Sequence, residues 1–421
     1  MISTLELRCK IDSHLLKYKR RLKKLTSQGN MGLKVNVSVI FMLLFLTSAD
    51  VKAENVVFDV TKYGDEEDIS KAFKSAWEDA CASRSPSKVL IPRGTYLLGP
   101  VIISGPCKAA IELQVKGKLQ APVDMREFEG FSSWITLNYV DQFTLTGGGT
   151  FDGQGKSASN QNNCGKDKHC KLPPGSLKFN FITNGKVHDI TSTDSKYFHA
   201  HLLGCKNLTF QHFTITAHDE SLNTDGIHIG RSEDIKIIDS DIGTGDDCIS
   251  LGHGSRQITI EGVTCAPGHG ISIGSLGKSQ NEESVSGIFV KNCTISNTQN
   301  GVRIKSWPAL FGGSASDIHF EDIIMKNVSN PIVIDQVYCP WNECNRKAAS
   351  KVSIKNVSFK NIRGTSRTPV AVQLSCSKDI PCDEVEVADI DLKYTGSEGP
   401  AKFQCSNVQP KFHGKINPSK C

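Results

Sequence analysis

Three aspartates and a histidine sit in short segments whose spacing brings acid and base groups together. The segments are Asn223-Thr224-Asp225-Gly226-Ile227-His228-Ile229, Gly245-Asp246-Asp247-Cys248-Ile249-Ser250-Leu251, Gly268-His269-Gly270-Ile271-Ser272-Ile273 and Asn300-Gly301-Val302-Arg303-Ile304-Lys305. Each carries an apolar-x-apolar pair, and Ile227, Ile249 and Ile271 follow one another at intervals of 22 residues. Equal spacing of short alternating strands marks a solenoid. Stacked parallel strands lie about 4.8 Å apart, so equivalent positions form columns. One column holds Asp225, Asp247 and His269. The outward position between the core residues holds His228, Ser250, Ser272 and Arg303, and the next outward position holds Gly230, Gly252, Gly274 and Lys305. Such a strip has acid and base groups at one edge, a floor of small residues and two cations at one end. It suits proton-transfer chemistry on a long polar ligand whose own carboxylate faces Arg303 and Lys305. Parity sends Asp246 outward with Ser250. Asp247 joins it only if the chain bends at Gly245.

Turns are rich in Asp, Asn and Gly for structural reasons alone, so one segment says little and four in order say much. Three carboxylates with no nucleophilic Ser or Cys partnership point to acid–base chemistry. Splitting a glycosidic bond needs one protonated and one ionised carboxyl. Like charges packed closely raise at least one pKa, and His269 is placed to tune the cluster.

Stacked coils must position these groups. Further core pairs are expected at Phe143/Leu145, Leu208/Phe210, Ile235/Ile237, Ile258/Ile260, Ile288/Val290, Ile318/Phe320, Val352/Ile354 and Val385/Val387, forming a second face. Gly, Asn and Ser turns without a helical period imply a β-helix with at least two strands per coil. The dense Leu spacing of leucine-rich repeats is absent. Residues 69–81 read as a helix with Phe73, Ala76, Trp77 and Ala80 on one face. It would cap the open N-terminal end, where a solenoid otherwise exposes core and strand edge. Residues 154–178 form the longest irregular stretch, and such loops are often functional.

The chain of 421 residues carries a net +5, but that figure misleads. Residues 1–53 hold ten Lys/Arg and three Asp/Glu, so the remainder has 39 basic against 41 acidic residues, a net −2. Bulk binding of nucleic acid loses its support. Residues 31–53 read as a secretory signal, with Lys34, an apolar run from Val37 to Leu46 and the cleavage site Val51-Lys52-Ala53. The run is short for a membrane span, so no membrane association is expected after cleavage. Residues 1–30 form a basic leader. They read as an upstream stretch before a true start at Met31; the competing readings are a long positive n-region or an organelle-targeting arm. Residues 54–421 then form the catalytic domain.

Fourteen of fifteen cysteines follow the signal, an even number that suits disulfides in an exported chain. Expected pairs are Cys339/Cys344, Cys376/Cys382, Cys164/Cys170, Cys248/Cys265 and Cys405/Cys421. Cys205 and Cys293, in apolar strand patterns, read as buried thiols. No spacing suits zinc. Sequons at Asn207, Asn292, Asn327 and Asn356 fit export.

Asn223-Thr224-Asp225, Gly245-Asp246-Asp247, Gly268-His269-Gly270 and Arg303-Ile304-Lys305 resemble the four motifs of the polygalacturonases, glycoside hydrolase family 28. Gly149-Thr150-Phe151-Asp152-Gly153-Gln154-Gly155 and Asp335-Gln336-Val337-Tyr338-Cys339 also look like theirs. The likeness covers residues 56–421. It implies an all-β, single-stranded, right-handed parallel β-helix with an N-terminal capping helix. The implied activity is inverting hydrolysis of α-1,4-linked galacturonic acid in pectin, with no cofactor and no metal. Carried over, Asp246 is the general acid, Asp225 and Asp247 activate water, and His269 supports the cluster. Asn223, Arg303, Lys305 and Tyr338 contact substrate. Phe320-Glu321-Asp322-Ile323-Ile324-Met325 and Tyr338-Cys339-Pro340-Trp341-Asn342 look most like plant, pollen-type exo-acting members. This implies a secreted, monomeric cell-wall enzyme releasing units from the non-reducing end. One departure stands out: Ser157-Ala158-Ser159 replaces a Trp that plant relatives often carry there. The alternatives are an endo-acting enzyme, a rhamnogalacturonan hydrolase, a pectate lyase of the same fold class using calcium, and a non-catalytic wall-binding protein.

Overall fold

A computed structural model describes residues 55–64, 67–158, 170–308, 311–342, 344–345 and 347–421. The expected leader and signal, Cys164 and the 159–169 part of the long irregular stretch lie outside the described residues. The described chain is almost all strand, and the strand pairings are parallel throughout. Successive coils stack in register, which makes a parallel β-helix.

Each coil presents three faces where the sequence suggested at least two. The site face runs through Val101–Ser104, Ser133–Asn138, Gly175–Asn180, Ala200–Leu203, Ile227–Gly230, Ile249–Leu251, Ile271–Leu276, Asn300–Ser306, Asn330–Asp335, Val370–Ser375 and Lys402–Ser406. Its core pairs stack as expected, with Ile227 on Ile249, Ile249 on Ile271 and Ile271 on Val302. These side chains are fully buried, and each such burial contributes about 1.5–3 kcal/mol. On the second face Ile235, Ile258, Ile288 and Ile318 align, but the next residue in the column is Val357. Val352 and Ile354 lie earlier on the same long strand, Lys351–Ser366, opposite Gly313 and Ala315. That strand holds two buried apolar pairs of opposite parity, separated by left-handed Asn356, and alternation alone cannot choose between them. In Thr183–Thr193, Lys206–Thr216 and Gly312–Val328 the second and third faces run on as one strand.

The corners between faces follow one backbone rule. The residue just before the second-face core is left-handed in coil after coil: Asn184, Asn207, Asp234, Gln257, Gly287, Asp317, Asn356 and Glu384. Asn, Asp and Gly tolerate that conformation best. Ser70–Ala82 is the capping helix, burying Ala72, Phe73, Ala76, Trp77 and Ala80 against the first strands. A disulfide between Cys81 and Cys107 fastens its C-terminal end.

Candidate active site

The expected acid residues do converge. Asp225, Asp246 and Asp247 line one cleft of about 490 Å³ together with Asn223, Lys305 and Tyr338. Local structure puts them there. Gly245 N donates to Thr224 Oγ1 at 2.9 Å, and Thr244 Oγ1 donates to the Asp246 carbonyl at 2.7 Å. These bonds bend the chain before the Ile249–Leu251 strand, so both neighbouring aspartates reach the cleft. As parity required, Asp246 is the more open of the two, with 26% of its side chain exposed against 2% for Asp247. The Cys248–Cys265 disulfide, 17 residues apart, pins the end of this turn.

The three carboxylates stand in different surroundings. Asp247 is buried and bonded by Lys305 Nζ at 2.7 Å, Arg303 Nη2 at 2.9 Å and Ser272 Oγ at 2.8 Å. Burial alone would raise its pKa. Lys305 and Arg303 outweigh that and hold it at about 2. Asp225 is equally enclosed, but its direct hydrogen-bond donor is neutral, the Ser250 hydroxyl at 2.7 Å. Burial, then Asp246 and Asp247, push its pKa well above its ordinary value. Asp246 takes the Asp247 N–H at 2.8 Å on Oδ1, and His269 Nδ1 lies 3.0 Å from the same oxygen. Asp247 is therefore a fixed anion, while Asp225, beside two other carboxylates, keeps its proton more readily.

The structure adds two things to the strip that spacing did not show. Arg303 and Lys305, read as facing a ligand carboxylate, both bond Asp247 in the free protein, where 11% and 9% of their side chains are exposed. Unpaired, a buried carboxylate is costly, so the nearest anion takes them. The column ending in Gly274 and Lys305 also breaks. Register slips between Ile273 and Leu276, where three residue steps face two from Ile304 to Ser306. This bulge at Gly274 and Ser275 is invisible to the spacing argument. His269 bonds the cluster as expected: its ring pairs with Asp246, and its N–H bonds the Asp246 carbonyl at 2.7 Å.

Tyr338 lies beyond the Asn330–Asp335 strand, with Lys305 Nζ 5.3 Å and Arg303 Cζ 5.9 Å from its ring centre. Asp335 Oδ1 accepts the Val337 N–H at 3.0 Å and shapes the turn that presents it. Buried Gln336 ties this turn to the Val352 carbonyl and to the Ser377 N–H. Sequence reasoning missed Tyr197, Phe198, His253 and Lys278, which also line the cleft. The first two precede the Ala200–Leu203 strand one coil earlier, and a search confined to the acid-bearing segments could not reach them. Tyr197 and Phe198 stack at 4.2 Å, and Phe198 stacks on His228 at 5.1 Å. They form one wall.

A model of "Glycosyl hydrolases family 28" matches residues 81–418. A polygalacturonase of Gossypium hirsutum is 53% identical over 91% of this chain and 95% of its own length. An exopolygalacturonase of Oenothera organensis is 53% identical over 84% and 98%. Among solved structures, an endo-xylogalacturonan hydrolase from Aspergillus tubingensis superposes with a TM-score of 0.71 at 23% identity, over 85% of this chain and all of that one. On its sequence, its stacked coils and the extent of these matches, the chain is a glycoside hydrolase and belongs to family 28.

Proposed function

We propose that this enzyme hydrolyses the α-1,4-galacturonosyl bonds of polygalacturonate with inversion, from the non-reducing end. The observation that carries the reading is the split within the carboxylate cluster: Asp247 is held ionised by two cations, whereas Asp225 is met by a hydroxyl and has a raised pKa. Asp246 is the general acid, because its recorded bonds fall on Oδ1 and its side chain is the most open of the three. Asp225 takes the proton of the attacking water, and Asp247 orients that water. His269 keeps the Asp246 carboxyl in place. Asn223, Lys305 and Tyr338 line the sugar site, and Arg303 backs it through Asp247. The polygalacturonase and exopolygalacturonase names of relatives at 53% identity support the substrate and the exo mode. Residues 31–53 serve as an export signal for a monomeric 54–421 domain that works in the cell wall. Five disulfides among the described residues support an oxidising destination.

A second reading has one observation in its favour. Asp246, Asp247 and His269 offer ligand atoms within 4.8 Å of one another, as a cation-dependent lyase would need. Lys305 and Arg303 already neutralise Asp247, which favours hydrolysis. The test follows viscosity, reducing ends and products on polygalacturonate. Saturated monomer appearing early, with little loss of viscosity, is expected. A rapid viscosity drop with mixed oligomers would establish endo action. Unsaturated products and loss of activity with chelator would establish a lyase. Asp246→Asn should lower kcat by about 10²–10⁴-fold with Tm near that of the parent, and retained turnover would remove Asp246 as the acid.

A further inference from the structure

Two hydrogen-bond chains of the same plan cross the cleft floor. Arg303 Nε donates to Ser272 Oγ at 3.1 Å, and Ser272 donates to Asp247 Oδ1 at 2.8 Å. In the preceding pair of coils His228 Nδ1 lies 2.7 Å from Ser250 Oγ, and Ser250 donates to Asp225 Oδ2 at 2.7 Å. His228, Ser250, Ser272 and Arg303 are register partners in one outward column. A serine hydroxyl has one proton to give. With Asp225 ionised, as a base must be, Ser250 gives its proton to Asp225, so the bond from His228 is donated by Nδ1–H. That assigns the tautomer, with Nε2 bare beside Gly252.

The two chains differ in charge. Arg303 heads one, and with Lys305 it holds Asp247 ionised. The histidine heading the other is held by rings, Phe198 stacked at 5.1 Å and His201 edge-on at 5.2 Å. The titratable groups facing His228 are His201, Lys305, Asp247 and His253. Burial, then His201 and Lys305, lower its pKa to about 3, so it is neutral at working pH. Asp225 is faced by Asp246 and Asp247 from the Gly245 turn, by Lys305, and by Tyr197 from the wall. A cation in the place of His228 would pull Asp225 down, as Lys305 and Arg303 pull Asp247, and leave a poor base.

We propose that His228, acting through Ser250, is a positioning residue for Asp225: it fixes Oδ2 with a neutral hydrogen-bond chain and leaves Oδ1 for the attacking water. The inference rests on the reading of Asp225 as the base. Ser250→Ala removes a bond that favours the ionised carboxylate, so the acidic limb of the kcat profile should move to higher pH. His228→Phe keeps a ring in the stack but loses Nδ1–H; it should shift the limb the same way and lower kcat about tenfold, with KM within about twofold. His228→Asn returns an amide N–H near the Nδ1 position and should recover most of the loss. The double variant should be no worse than Ser250→Ala, because the chain is already cut. An unmoved limb in folded Ser250→Ala would overturn the proposal, as would additive losses in the double variant or no recovery in His228→Asn. If His228→Phe fails to fold, the nearly isosteric Ser250→Ala decides alone. Asp225→Asn separates the two readings. If it retains turnover, the base assignment itself fails; if it is inactive while Ser250→Ala keeps its limb, only the His228 inference fails.

Discussion

At the scale of single residues, what distinguishes Asp225 from Asp247 is which donors reach them. Both are carboxylates at equivalent places in successive coils, and both are buried. Asp247 meets two cations, whereas Asp225 meets a hydroxyl. The consequences for stability have opposite signs. Asp247 has a folded pKa below its unfolded value of about 3.9, so its contribution is present above that pH and is lost as pH falls through about 2. Asp225 has a raised folded pKa, so the native state binds more protons than the unfolded chain. Stability then declines as pH rises from about 3.9 through the folded value. Asp225→Asn should therefore abolish turnover and yet raise Tm at pH 7 by about 1–3 °C, a gain that disappears near pH 4 in thermal melts. Lys305→Gln should do the reverse. It leaves a buried carboxylate short of a partner, which costs about 3–5 kcal/mol, and a urea titration should register this beside any loss of substrate affinity. A Lys305 variant of unchanged stability would show that Asp247 is not held as described.

At the scale of elements, the site depends on turns where one coil's strand gives way to the next. Gly270 has φ +84°, and a Cβ there would meet the Asn300 and Gly301 carbonyls at 2.2 Å. It stands between His269 and the Ile271–Leu276 strand. Gly270→Ala must therefore displace His269 or the strand. It should cost about 1–3 kcal/mol for the backbone alone and more for the clash. Denaturant midpoints, and a fall in kcat greater than in KM, are the expected readouts. Gly270 was legible as a turn residue, but its necessity was not, because the carbonyls it faces belong to a strand 30 residues later.

At the scale of the whole molecule, the solenoid is a stack whose free end must be closed. Trp77 of the capping helix is 2% exposed, its Nε1 donates to the Ser104 carbonyl at 3.1 Å, and its ring meets Phe143 at 6.2 Å. Trp77→Ala should cost about 3–5 kcal/mol. Because each coil touches only its neighbours, kcat of the folded fraction should stay near that of the parent; a large kcat loss would mean that the cap acts on the site at long range. Left-handed backbone, at these corners and at others, also underlies the sequons. Asn207, Asn292, Asn327 and Asn356 are all left-handed and exposed. Asn207 and Asn327 donate at 2.8 Å to Asn184 and Asn297 of the preceding coil. Asn stands there first because the backbone turns there.

The repeat of 22 residues determined the solenoid, the site face and the convergence of Asp225, Asp246 and Asp247, because strand alternation and coil spacing are local properties that stacking only copies. The capping helix and four of the five described disulfides were legible for similar reasons: a helical period in the first case, and in the second short separations or a pair flanking one coil. Tertiary structure alone decided the rest. Cys81 and Cys107 meet across intervening strands once the coil closes. Val357, and not Val352, continues the second face because pairing register is set between strands. Arg303 and Lys305 turn to Asp247, and His228 to Ser250, because burial forces each polar group to find its nearest partner. Sequence spacing places residues in a column; it does not say which member of the next column each will bond.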